Sequence, residues 1–252
     1  MAISHNPLFN RAMQTGVEAA RIDQAAVDAE FSRITSTPKM TVEGTAGKVF
    51  GMFLILVAAA AATWFIPALQ ALFLPALLVG LGLGLWATFS KQVRPGVIIA
   101  YAAVEGVVIG GISAIYEAQY PGIVQNAVLG TFATAGAMFA AYRFGWIKVN
   151  ARFTRVMSFA LIGYMGFALI NFVVGMIAGN AGVYSSGFAW LAGLVGVLLA
   201  AFTLNLDFEA IVDGSRRGLP VENEWRAAFG LTASMIWLYM EILRLLAIFN
   251  RD

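Results

Sequence analysis

The chain has no cysteine and a single histidine, His5, among its 252 residues. The first absence excludes disulfides and thiolate metal sites, and it leaves the redox state of the compartment unreported. The second removes a Cys/His zinc centre, because the only imidazole lies in a polar tail. It also removes an intramembrane serine protease built on a buried Ser–His pair. Charge is scarce: 12% of residues are Asp, Glu, Lys or Arg, against about 25% in soluble domains. Lys39, Lys48, Lys91 and Lys148 all fall outside the last apolar run, so a retinal Schiff base in that helix is excluded. The net charge of +2 comes mainly from loops and the tail, which speaks for topology and against a nucleic-acid surface.

What the sequence has instead is hydrophobicity, at 60% of residues, gathered into runs of about 20. A helix that long crosses a hydrocarbon core of about 30 Å. The expected fold is an all-α membrane protein with seven transmembrane helices. The expected spans are 48–66, 68–89, 96–117, 124–142, 156–178, one from 188 to Asp207 or a turn beyond, and 227–249. Residues 1–45 read as a cytoplasmic polar tail with little fixed structure, although 17–34 can form a solvated helix, and 46–252 as the transmembrane domain. The tail holds no apolar core followed by a small-residue cleavage site, so no signal peptide is expected. Gly80 and Gly84 in the second span have the four-residue spacing that lets helices approach closely.

Basic residues alternate from loop to loop. The tail carries Arg11, Arg21, Arg33, Lys39 and Lys48, and the 2–3 loop Lys91 and Arg94. The 4–5 loop carries Arg143, Lys148, Arg152 and Arg155, and the 6–7 loop Arg216, Arg217 and Arg226, whereas the other loops carry none. The expected orientation is therefore a cytoplasmic N-terminus and an external C-terminus.

Charges inside the spans mark candidate sites, because a carboxylate at membrane depth carries a penalty of about 2.5 kcal/mol or more. The last span contains Glu241 and Arg244, and Asp207 ends the span before it. Glu105 lies about ten residues inside the third span, Glu117 near that helix's end, and Asn171 within the fifth. Two carboxylates at close range in a low dielectric share a proton and titrate as a unit, and a hard cation such as Ca²⁺ suits their oxygens. Asp207 and Glu241 can meet only if the sixth helix continues toward Asp213 or the seventh begins below the membrane surface. In the other reading, Glu241 pairs with Arg244 one turn away while Asp207 caps or snorkels at the cytoplasmic end. An aspartyl protease would also use two acids, but the Gly-x-Gly-Asp context is missing at both, and no enzymatic activity is expected.

Two stretches carry a resemblance. Leu206-Asp207-Phe208-Glu209-Ala210-Ile211 is similar to an aromatic-Asp-x-x-x-Ile element, and Leu238-Tyr239-Met240-Glu241-Ile242-Leu243-Arg244-Leu245-Leu246 to a Leu-Tyr-Leu-Asp-x-x-Asn-Leu-Phe final helix. Both resemble the Bax-inhibitor (transmembrane BAX-inhibitor motif) family, in its bacterial YccA/YetJ-like branch, over residues 46–250. The resemblance implies a last helix central in the bundle. It implies a pH-sensitive calcium leak of the bacterial inner membrane, with Asp207 and Glu241 as the sensor pair and Ca²⁺ as the transported or bound ion. Glu105, Arg244, Asp213 and Asn171 are candidate pathway or gate partners, and no other cofactor is expected. Here the second acid is Glu rather than Asp, and the second span lacks the acid that relatives can carry, a loss for which Glu105 is the candidate compensation. The alternative is a non-transporting regulator that binds membrane proteases or stress factors through the tail. A proton-coupled transporter is third. The expected partners are membrane lipid, Ca²⁺ or protons, and other membrane proteins.

Overall fold

Proline and capping residues set the helix limits more closely than hydropathy does. The computed structural model describes residues 26–28, 38–179 and 182–251. Most of the tail, including the greater part of the expected helix over 17–34, lies outside the described residues. The first helix, α1, spans Val42–Phe65 and is capped by Thr41, whose hydroxyl accepts the Gly44 N–H at 2.9 Å. It therefore starts six residues before the expected Lys48, inside the expected tail of residues 1–45.

Pro67 then opens a four-residue helix, α2, at Pro67–Gln70, and the chain restarts at α3, Phe73–Phe89. Pro75 explains the restart: it lacks an N–H and is tolerated only in a first helical turn, where it now sits. The remaining helices are α4 Pro95–Gln119, α5 Ile123–Arg143, α6 Ala151–Ala178, α7 Ala189–Arg216 and α8 Asn223–Phe249. A short 3₁₀ turn at Gly182–Ser185 lies between α6 and α7. Helix α6 ends on Gly179 with φ of 66°, a left-handed cap that glycine adopts without steric penalty.

Six of these helices, α1 and α4 to α8, are long and apolar enough to cross a membrane. The expected second span is instead the pair α2 and α3. At 17 residues, about 25 Å, α3 falls at the short limit for crossing.

Between membrane helices burial from water drives little, so small residues and van der Waals fit decide who touches whom. Helix α4 presents Gly110 to α1, where an added Cβ would lie 2.5 Å from the Ala60 carbonyl oxygen, and Gly106 meets the Leu56 carbonyl still more closely. Its other side takes α3: Gly84 lies under the Tyr101 ring and Gly80 under Glu105, so the 80–84 spacing does bring two helices together. The last helix, α8, lies against α1, α4, α5 and α7. Its Leu238 and Leu243 are fully buried, with Ala200 and Leu204 of α7 in the same core. Helix α6 differs from the rest. Its main neighbours are α7 and the 3₁₀ turn, and Phe159, Ile162, Met165, Leu169 and Phe172 all point outward.

Candidate functional site

Helices α7 and α8 form an antiparallel hairpin, and its register fixes the depth of every acid on them. Gly193 faces Leu245, Gly196 faces Glu241, and Gly230 faces Asp207. Gly196 is needed where it stands, because a Cβ there would lie 2.5 Å from Glu241 Oε2 and 2.6 Å from the Tyr164 hydroxyl.

Glu241 is 2% exposed, and both of its oxygens are bonded. Oε1 accepts from the Tyr164 hydroxyl at 2.8 Å, from Trp237 Nε1 at 3.0 Å and from Arg244 Nη1 at 3.0 Å. Oε2 accepts from the same Nη1 at 2.9 Å. Helix geometry makes this cage: Trp237 and Arg244, four residues before and three after, lie on the face that carries Glu241. The guanidinium also stacks on the Tyr184 ring, 4.8 Å from its centroid. Tyr164, Asn171, Tyr184, Trp237, Glu241 and Arg244 are among the residues lining a cavity of about 740 Å³ between α6 and α8. A hydrogen-bonded, arginine-paired acid thus borders open space within a span.

Asp207 is the opposite case. It lies against Gly230 and the Ser234 hydroxyl, and its Oδ2 is enclosed with no hydrogen-bond partner among the described residues. Two residues earlier, both amide atoms of the fully buried Asn205 are also unpartnered among the described residues. Polar atoms so placed are rare in folded proteins and call for water, an ion or a second conformation.

The structure does not bring Asp207 and Glu241 together. Helix α7 does continue past Asp213, and α8 does start early, at Asn223. The acids stay apart because the hairpin turns about Leu219–Pro220, whereas facing one another would need a turn about residue 224. Asp207 stands opposite Gly230, eleven residues and about 16 Å along α8 from Glu241. They share neither a proton nor a cation in this conformation, and among the described residues no three His, Cys, Asp or Glu side chains gather into a metal site. The pairing of Glu241 with Arg244 is the one present, while Asp207 neither caps a helix end nor snorkels.

A bundle of long apolar helices agrees with what sequence comparison finds. The family described as Bax inhibitor 1 like matches residues 6–251. The chain belongs to this family. The match takes in the polar tail, which the motif resemblance over 46–250 left out. No curated protein matches the chain.

The other candidate residues of this Bax inhibitor 1 like chain scatter. Glu105 sits at the α3–α4 contact, where a Cβ on Gly80 would lie 2.9 Å from its Oε1. Asp213 is at the surface, bonded to Arg217 Nε at 2.9 Å, and so stands outside the α6–α8 cavity. Asn171 does line the cavity, and its Oδ1 accepts the Val183 N–H at 2.7 Å. Glu117 accepts the Gly122 and Val124 N–H groups at 2.6 and 3.1 Å, holding the start of α5 at a helix end as expected.

One acid escaped the sequence reading. Glu224, in a stretch assigned to a polar connector, is 2% exposed and binds the Lys48 ammonium. It also accepts the Thr41 N–H at 2.8 Å and the Thr41 hydroxyl at 3.0 Å. The available signal was Thr41 three residues before Gly44, a capping pattern that extends α1 and places Lys48 inside it.

Proposed function

We propose that this chain is a cation leak of a bacterial inner membrane, carrying Ca²⁺ and closing as pH falls, and not an enzyme. In this reading the short α3 counts as a seventh crossing, the N-terminus is cytoplasmic and the C-terminus external, as the alternation of basic loops favours. Its two motifs, in this reading, place the chain in the bacterial YccA/YetJ-like branch. The observation that carries the proposal is Glu241: an acid enclosed within the last span, held by Tyr164, Trp237 and one nitrogen of Arg244 beside a 740 Å³ cavity. A carboxylate kept at such depth is ordinarily retained for function.

The mechanism follows from the register. A cation moving along the α7–α8 contact meets two carboxylates in series, Asp207 near the connector end and Glu241 toward the far end. Ionised, each supplies hard oxygen to a divalent ion; protonated, each becomes neutral and withdraws that attraction. Arg244 closes the outer level while it holds Glu241, and leaves it open when it swings away. Two acids about 16 Å apart act as separate resistances, not as one shared-proton gate.

The test is Ca²⁺ efflux from liposomes holding the full chain, measured at pH 6 and pH 8. Flux that rises at pH 8 without saturating, and falls in Glu241→Gln and Asp207→Asn, supports the leak. Saturation by one substrate would identify a proton-coupled transporter. No flux at either pH would favour the non-transporting regulator, to which the family match across the tail lends support.

A further inference from the structure

We propose that the groove between α6 and α8 binds one membrane phospholipid with an anionic headgroup, and that the lipid phosphate competes with Glu241 for Arg244. The inference goes beyond the leak reading, and its binding part does not depend on it.

Three observations carry it. The first is the unused edge of Arg244. Its Nη1 makes every hydrogen bond the side chain has, to Glu241 and, at 3.4 Å, to the Tyr184 hydroxyl. Nη2 and Nε make none among the described residues, and a third of the side chain, 33%, is exposed. That free Nε–Nη2 edge is the one with which arginine grips a phosphate through two parallel bonds.

The second is local charge. Arg251 also reaches Tyr184, donating from Nη1 to its backbone carbonyl at 3.3 Å. Two guanidiniums therefore meet at Tyr184, and an anionic headgroup is the kind that gains from them.

The third is shape and depth. The groove volume of about 740 Å³ lies in the range of small-ligand pockets. Its α6 wall carries an apolar strip, Ala168, Phe172 and Met176, exposed beside Tyr164 and Asn171. Arg244 lies five residues, about 8 Å, before the end of α8 at Phe249, the depth from which a long cationic side chain reaches headgroups. Tyr184 stacks beside it, as aromatic residues mark an interface. An acyl chain along the α6 wall therefore brings its phosphate to the guanidinium.

The consequence is exchange of partners. A phosphate on the Nε–Nη2 edge draws the guanidinium outward and loosens its hold on Glu241. Anionic lipid then opens the level that Arg244 closes.

Native mass spectrometry of the full chain tests the site, after exchange into mixtures of phosphatidylcholine and phosphatidylglycerol. One phosphatidylglycerol is expected to remain bound, with an about tenfold preference, the worth of one charge-assisted pair. Ala168→Trp fills the groove from an exposed position and should abolish the bound lipid without loss of thermal stability. Arg251→Gln should reduce the preference. Equal retention of both lipids, or undiminished retention by Ala168→Trp, overturns the proposal. Displacement of the bound lipid by millimolar inorganic phosphate would show a free-anion site and overturn it too, as would a dimer that loses its contact in Ala168→Trp. Lipid retention without any Ca²⁺ flux would sink the leak reading alone.

Discussion

Glu224 and Glu241 lie on the same helix, both 2% exposed and both ion-paired, yet they are built for different ends. The partners of Glu224, Lys48 and Thr41, come from α1 and the residue that caps it. Breaking those bonds separates two helices. Glu241 takes Trp237 and Arg244 from its own helix, and only the Tyr164 hydroxyl reaches it from α6. Its bonds can be exchanged without moving a helix, and open space lies beside it. A glycine packs against each carboxylate, Gly44 on Glu224 and Gly196 on Glu241, but only beside Glu241 does the loosely held α6 leave a cavity. A buried acid is thus a clamp or a switch according to where its partners come from, not according to how deeply it is buried.

The largest expected effect is on the clamp. Glu224→Ala leaves Lys48 enclosed without its partner, and removing one member of a buried pair costs about 3–5 kcal/mol. Lys48 is 22% exposed, so the lower end of that range, about 3 kcal/mol, is expected as lost resistance to unfolding in detergent. Glu241→Gln should lose less than half as much, since the amide still accepts from Tyr164 and Trp237. Equal losses would show that both acids are clamps.

The second contrast is between the two sides of the bundle. Gly110→Ala drives a methyl group to 2.5 Å from the Ala60 carbonyl oxygen, and overpacking of that kind costs about 1–3 kcal/mol. Gly163→Ala on α6 meets nothing within 4 Å and should be neutral or slightly stabilising through helix propensity. Paired thermal-melting curves for the two variants check this, and a destabilising Gly163→Ala would mean that α6 has a neighbour at that face.

Hydropathy made most of the bundle legible, because each long helix must satisfy its backbone internally and cover itself with apolar side chains. Its limits came where a local rule competes with composition. Pro75 divides a long, mostly apolar run, and Thr41 extends α1 into residues expected to belong to the polar tail. The pairing of Glu241 with Arg244 was legible too, since residues three apart on a helix must be neighbours. Helix register was not. Whether Asp207 reaches Glu241 depends on where the hairpin turns, and a shift of four residues in that turn moves the acids by about 12 Å relative to one another. Nor was Glu224 legible, because a clamp across 176 residues leaves no local pattern.

The smallest effect expected is also the one that decides between a shared gate and two separate ones. Asp207→Asn removes an acid whose Oδ2 has no partner among the described residues, and Glu241→Gln removes one whose oxygens are both bonded. Each should shift the midpoint of Ca²⁺ flux against pH by itself. Sites farther apart than about 7–10 Å, with no common partner, ordinarily add to within about 0.5 kcal/mol. Asp207 bonds toward Ser234 and Glu241 toward Tyr164, Trp237 and Arg244, so the hairpin gives them none in common. The double variant should therefore shift the midpoint by the sum of the single shifts, with a residual below about 0.4 pH units, since one unit is about 1.4 kcal/mol. A residual larger than that, with the double variant behaving like either single one, would mean that the hairpin slides to bring the two carboxylates together in a second conformation.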